Sequence, residues 1–220
     1  MKVYYRGSLD LIERERLMSK RAFVSGLPTA IPYDVVRVGD KYGVVYEMLD
    51  AKTAAQLITE EPSRLEEYVG TTARGLKQFN AVELDDKLFP DKKKLFHETI
   101  DIAAPYLSTE EEGLLRGYID GIPDKKTFLH GDYNFKNVMI KNGELMLIDI
   151  GDAAVGHPVF DLAGVLGIHL FAKNPTRPRD MVMHLLGFDP ELSGKVWETF
   201  CSAYFGTGSP AETEHYTQMR

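Results

Sequence analysis

The chain has 220 residues, 44% apolar and 27% charged, a composition that supports a sizeable core and excludes wholesale disorder, a collagen-like repeat or a coiled-coil rod. Its 33 acidic against 26 basic side chains leave a net charge of −7, which argues against a nucleic-acid partner. The single cysteine, Cys201, allows no internal disulfide, the amino terminus lacks a secretion signal, and no apolar run reaches the roughly 18 residues of a membrane span, so a cytoplasmic protein with no membrane partner is expected.

In chain order, residues 2–5 read as a short strand, and at Ser8 the pattern changes to a helix that Gly26 and Pro28 stop. Two strands, 33–38 and 42–48, flank a turn at Val38-Gly39-Asp40-Lys41. From Ala51 to about Gly121 the spacing is helical: Leu65, Val69, Leu76 and Phe79 form one stripe, and Leu95, Ile100, Ile102 and Leu107 belong to the next helix. Residues 127–150 return to extended structure, because the Asn142-Gly143 pair between two apolar runs favours a two-residue type I′ hairpin turn. After Pro158 helices are expected to the end. The fold class is α/β (α+β), with a β-rich part at 1–50 and a mainly helical part at 51–220.

The informative stretch is His130-Gly131-Asp132-Tyr133-Asn134-Phe135-Lys136-Asn137, answered across the hairpin by Ile148-Asp149-Ile150-Gly151-Asp152. With Asn142-Gly143 as the turn, counting back places Asn137 opposite Ile148, beside Asp149. Strict alternation would turn the two side chains to opposite faces, so a twist or bulge must complete their approach. Asp149 ends an apolar strand, where a carboxylate is costly to desolvate without a compensating cation. One carboxylate and one amide oxygen make the sparse site that Mg²⁺ uses with a nucleotide. Asp132, five residues before Asn137, is placed to accept the proton of an attacking hydroxyl.

These motifs resemble the aminoglycoside phosphotransferase and choline kinase group, small-molecule relatives of the protein kinases, whose loop reads His-Gly-Asp-x-x-x-x-Asn. His130, Asp132 and Asn137 match it, and Ile148-Asp149-Ile150-Gly151-Asp152 through Gly156, Pro158 and Asp161-Leu162-Ala163 match the family's later stretch. The resemblance implies a protein-kinase-like two-lobe fold and transfer of the γ-phosphoryl group of ATP to a hydroxyl of a small-molecule acceptor. By the same resemblance Asp132 is the catalytic base, Asn137 and Asp149 hold Mg²⁺, His130 and Asp161 brace the loop from behind, and Asp152 helps with metal or acceptor. His157 stands where many members carry aspartate, and Phe135-Lys136 replaces the commoner Pro-Gly, departures that bear on the acceptor.

The resemblance also implies a phosphate-gripping lysine and a helix glutamate, for which Lys2 and Glu15 are the candidates. Glu15 shares a stripe with Leu11, Met18 and Ala22, whereas its rival Glu13 lies on the Leu9, Leu17, Val24 stripe. Backbone groups of Glu47 and Leu49 are then expected to bond adenine. The chain begins on the lysine strand, without the family's preceding glycine-rich strand pair, and ends in a polar helical pattern at 211–220; a shortened N-lobe and tail are the expectation.

Two rival readings are a nucleotide-binding pseudokinase or gene fragment, and a metal-dependent phosphoester hydrolase using His130, Asp132, Asp149 and His157 as ligands. Lys2 can also be read as an exposed lysine and Asp161 as a first-turn helix residue. His97, His169, His184 and His215 lack ligand spacing, and Trp197, Phe200 and Tyr204 read as a core stripe.

Overall fold

Local capping sets most of the helix boundaries in the computed structural model, which describes residues 1–5, 8–85 and 87–206. Ser8 caps α1 (Leu9–Val24), and Gly26, at φ 81°, supplies the left-handed residue that ends it. The expected helix beyond residue 206, with His215, lies outside the described residues.

β1 (Lys2–Tyr4), β2 (Pro32–Val38) and β3 (Lys41–Tyr46) form an antiparallel sheet in the order β1-β3-β2, with α1 packed on it. Chain direction then changes through β4 (Lys52–Thr53), a strand too short to leave a sequence pattern. Thr53 and Gln56 form a reciprocal capping box that starts α2 (Ala54–Glu60). α3 (Leu65–Phe79) buries Leu65, Val69, Leu76 and Phe79 as its spacing predicts.

The next helix departs from expectation. α4 (Lys92–Ala103) buries only Ile100; Ile102 is 77% exposed, and Leu107 falls beyond the helix, after a 3₁₀ turn at Ala104–Tyr106. α5 (Thr109–Gly121), started by a Ser108–Glu111 capping box, packs back on α4 and buries no residue fully. These two helices form a hairpin at the edge of the body, which explains why an apolar stripe alone misassigned their buried face.

β5 (Thr127–Leu129) leads into the 130–137 loop, and β6 (Val138–Lys141) and β7 (Glu144–Leu147) form the hairpin. Asn142 and Gly143 both have positive φ, 53° and 81°, as a type I′ turn requires, and the register pairs Lys141 with Glu144 and Val138 with Leu147. β4 adds to this sheet beside β6, and β8 (Ala154–Gly156) pairs with β5 in a separate two-stranded sheet that the sequence pattern did not reveal. α6 (Val159–Ala172), α7 (Arg179–Leu186) and α8 (Ser193–Phe205) complete the helical part. One apolar core joins these elements, from Met18 and Ala22 of α1 through Ile58, Leu76, Phe128 and Leu147 to Phe200.

Candidate active site

The hairpin closes the site as its turn predicts. Ile148 N donates to Asn137 O (3.0 Å), so the two residues face each other where the ladder ends. Asp149 then adopts a left-handed backbone, φ 62° and ψ 52°, before a 3₁₀ turn at Ile150–Asp152. This conformation is the irregularity that breaks strict alternation.

Asn137 and Asp149 nevertheless take different partners. Asn137 Nδ2 donates to Asp132 Oδ2 (2.8 Å) and to Asp132 O (2.9 Å), and Asn134 Nδ2 donates to Asp132 Oδ1 (3.2 Å). Asp132 stays exposed while two amides fix its carboxylate. Asp149, also exposed rather than desolvated, accepts from Lys2 Nζ at 2.5 Å through Oδ1, and the same ammonium donates to Glu15 Oε1 at 2.7 Å. Glu13 instead pairs with Arg16.

Met18 and Ala22 of the expected α1 stripe are buried, but Leu11 is 59% exposed and Ile12 and Ser19 face inward in addition. Glu15 sits at the rim of that stripe, against Gly151. A Cβ at residue 151 would lie 2.8 Å from Glu15 Cγ, so only glycine admits this approach.

Burial works against the Lys2 charge, but the hydrogen bonds and charges of Asp149 and Glu15 outweigh it, and its pKa lies above the ordinary lysine value. Tyr4 Oη is buried beside Glu15 and Tyr46 without hydrogen-bond geometry to either; burial first, then the Glu15 carboxylate, pushes its pKa up strongly. Tyr46 is raised too, chiefly by burial.

Lys2, Glu15 and Asp149 line one cleft of about 550 Å³ together with Ser19, Thr29, Tyr46, Glu47, Leu49, Met139 and Ile148. Glu47 N already donates to Ile31 O (2.8 Å), which narrows the adenine expectation: of Glu47 only the carbonyl remains, with the Leu49 amide. Thr29 Oγ1 donates to Leu147 O (2.8 Å) and Leu147 N to Pro28 O (2.7 Å), pinning the β-rich part to the hairpin at the cleft floor.

Behind the loop, Asp161 lies in the first turn of α6 as expected, and it is buried there and anchors the loop. Its Oδ2 accepts from His130 N (3.0 Å) and its Oδ1 from Gly131 N (2.9 Å). Asn80 Nδ2 adds a third bond to Oδ2 at 3.1 Å; no local pattern marked Asn80, because its partner lies 81 residues away. His130 Nε2 donates to Ile148 O (3.0 Å) and its Nδ1 accepts from Asp132 N (3.3 Å), so two backbone partners set its tautomer. Gly131 has φ 84°, and a Cβ there would lie 2.0 Å from Asp152 O. The Asp152 side chain is exposed and makes no hydrogen bond or ion pair among the described residues.

The hydrolase reading fails on this geometry. Both nitrogens of His130 are engaged by backbone, His157 Nδ1 accepts from Val159 N (3.2 Å) at the start of α6, and no group of three or more metal-ligating His, Cys, Asp or Glu gathers among the described residues. Asn137 gives its nitrogen to Asp132, leaving Oδ1; Asp149 gives Oδ1 to Lys2, leaving Oδ2. One amide oxygen and one carboxylate oxygen fit a hard cation shared with phosphate oxygens.

A small antiparallel sheet with a packed helix, joined over a polar cleft to a helical part bearing a loop and a β-hairpin, is a protein-kinase-like arrangement. Residues 5–194 match the profile of the APH phosphotransferase enzyme family, so the chain belongs to that family of phosphotransferases. Among solved structures it is similar to an aminoglycoside-3′-phosphotransferase of type VIII, at 18% identity and TM-score 0.59, covering 99% of this chain and 82% of that one. It is also similar to aminoglycoside phosphotransferase APH(3″)-Id from Streptomyces rimosus ATCC10970 (15% identity, 96% and 80% covered, TM-score 0.55). A third likeness is to the amicoumacin kinase hAmiN (15% identity, 94% and 64% covered, TM-score 0.51). These likenesses establish the fold. No curated protein matches the chain in sequence. No helix among the described residues is long and apolar enough to cross a membrane.

Proposed function

We propose that the chain transfers the γ-phosphoryl group of Mg-ATP to a hydroxyl of a small molecule, with the nucleotide between residues 1–50 and 51–220. The observation that supports it is the convergence of Lys2, Glu15 and Asp149 on the cleft that Glu47 and Leu49 line, with Asp132 and Asn137 fixed across the hairpin end. Lys2, oriented by Glu15, holds the α/β-phosphates; the Glu47 carbonyl and the Leu49 amide meet adenine. Asn137 Oδ1 and Asp149 hold Mg²⁺, which when bound neutralises charge on the phosphate oxygens.

Asp132 accepts the proton of the attacking hydroxyl. Asn134 and Asn137 keep its carboxylate oriented, so little reorganisation is needed as the hydroxyl approaches. His130 and Asp161 hold the loop backbone, and exposed Asp152 is available to a polar acceptor or to metal-bound water.

The test is ATP consumption and phosphoryl transfer by the purified chain over a panel of aminoglycosides, choline-like alcohols and neutral polyols. Asp132→Asn is expected to lower turnover about 10³-fold while leaving the melting temperature nearly unchanged. Full transfer by that variant removes Asp132 from its role.

A further inference from the structure

A line of buried hydrogen bonds runs from α8 to the loop backbone. Tyr204 Oη donates to Asn80 Oδ1 (3.1 Å), and Asn80 Nδ2 donates to Phe128 O and to Asp161 Oδ2, each at 3.1 Å. Asp161 in turn accepts from His130 N and Gly131 N. The Asn80 amide can face only one way, because reversal would set its oxygen against two acceptors, the Phe128 carbonyl and the Asp161 carboxylate.

Tyr204, Asn80, Asp161 and His130 are all buried, so a bond lost among them leaves a polar partner unpaired. The backbone of Asn80 is fixed separately, through Asn80 N to Leu76 O (2.8 Å), whereas its side chain takes its direction from Tyr204 and the two acceptors. Tyr204 is itself held by stacking on Phe200, and α8 packs along α3. Tyr133, beside Asp161 and Tyr204, donates to Thr72 O (2.8 Å).

The geometry points to Tyr204 as a positioning residue for phosphoryl transfer: acting through Asn80 on Asp161, it sets the backbone of His130 and Gly131, immediately before Asp132. Only the kinetic part of this inference rests on the phosphoryl-transfer reading. α8 thus does more than fill the core, since its Tyr204 hydroxyl joins the network that holds the loop.

Tyr204→Phe deletes one oxygen and keeps the ring. Residue-resolved amide exchange is expected to quicken about fivefold at His130 and Gly131 relative to β6, and kcat for ATP consumption to fall about fivefold with KM for ATP unchanged. Asn80→Asp places a second carboxylate against Asp161, in a setting whose other titratable groups are His130, Tyr133 and Tyr204. Its turnover, taken as a ratio to wild type at each pH, is expected to be lowest at about pH 8 and to recover toward about pH 5, as a shared proton restores a donor. A purely structural role would lower the melting temperature of both variants without either signature. Wild-type exchange at His130 and Gly131 in Tyr204→Phe overturns the proposal, whether or not Asn80→Asp folds, and absent pH recovery in a folded Asn80→Asp counts equally against it. If the wild-type chain consumes no ATP, the phosphoryl-transfer reading fails, while the exchange measurement still decides the role of Tyr204.

Discussion

The front and the rear of the 130–149 region are held by opposite electrostatic means. At the front, Lys2 and Asp149 pair with side chains 37% and 43% exposed, so water and ions can replace either partner. At the rear, the buried Asp161 carboxylate meets three N–H donors, where a lost donor has no ready substitute. The difference separates two tasks. Under the proposed function, the groups that would release one another to grip a ligand sit in the exchangeable layer, and those that hold the loop backbone sit in the fixed one.

Substitutions on either side can break this contrast. The largest stability effect is expected at the rear: Asp161→Ala leaves the His130, Gly131 and Asn80 donors unpaired, and chemical denaturation should show a loss of about 3 kcal/mol or more. Gly131→Ala combines a left-handed φ with a collision against the Asp152 carbonyl, for a further expected loss of about 2 kcal/mol or more by the same measurement.

At the front, Glu15→Gln should cost less than about 1 kcal/mol of stability yet, under the proposed function, raise KM for ATP about tenfold, since it removes one of the two charges that orient Lys2. A stability loss at Glu15 equal to that at Asp161 would erase the distinction between the layers. The smallest effect is alkaline. Because the folded pKa of Lys2 is raised, its contribution is fully present below the unfolded value near 10.5 and is lost as pH rises through the higher folded value. With Lys2 this exposed, the change amounts to a few tenths of a kcal/mol. Melting temperatures at pH 9 and 11 should fall less in Lys2→Met than in wild type.

What the sequence reveals follows the range of the interactions. The hairpin register was legible because Asn142-Gly143 admits one turn geometry, and every later pairing, down to Asn137 opposite Ile148, follows by counting. β4 and β8 were not, since strands of two and three residues carry no period and exist only through distant partners. In α1 the stripe was displaced from Leu11 to Ile12, because helical spacing gives a face only to within about one residue and the sheet decides which edge is covered. At the site, residues brought together by short motifs could be named, whereas Asn80 could not: its role exists only where the ends of α3, β5 and α6 meet.

Gly151 shows how one missing carbon can govern a distant grip. With no side chain there, α1 rests directly on the turn after Asp149, and Glu15 reaches Lys2 from that seat. Alanine, serine and valine at 151 would lift the helix by increasing amounts, like shims under a lever. Residue 151 thereby sets, without adding or removing a charge, how far Glu15 stands from Lys2 in the cleft.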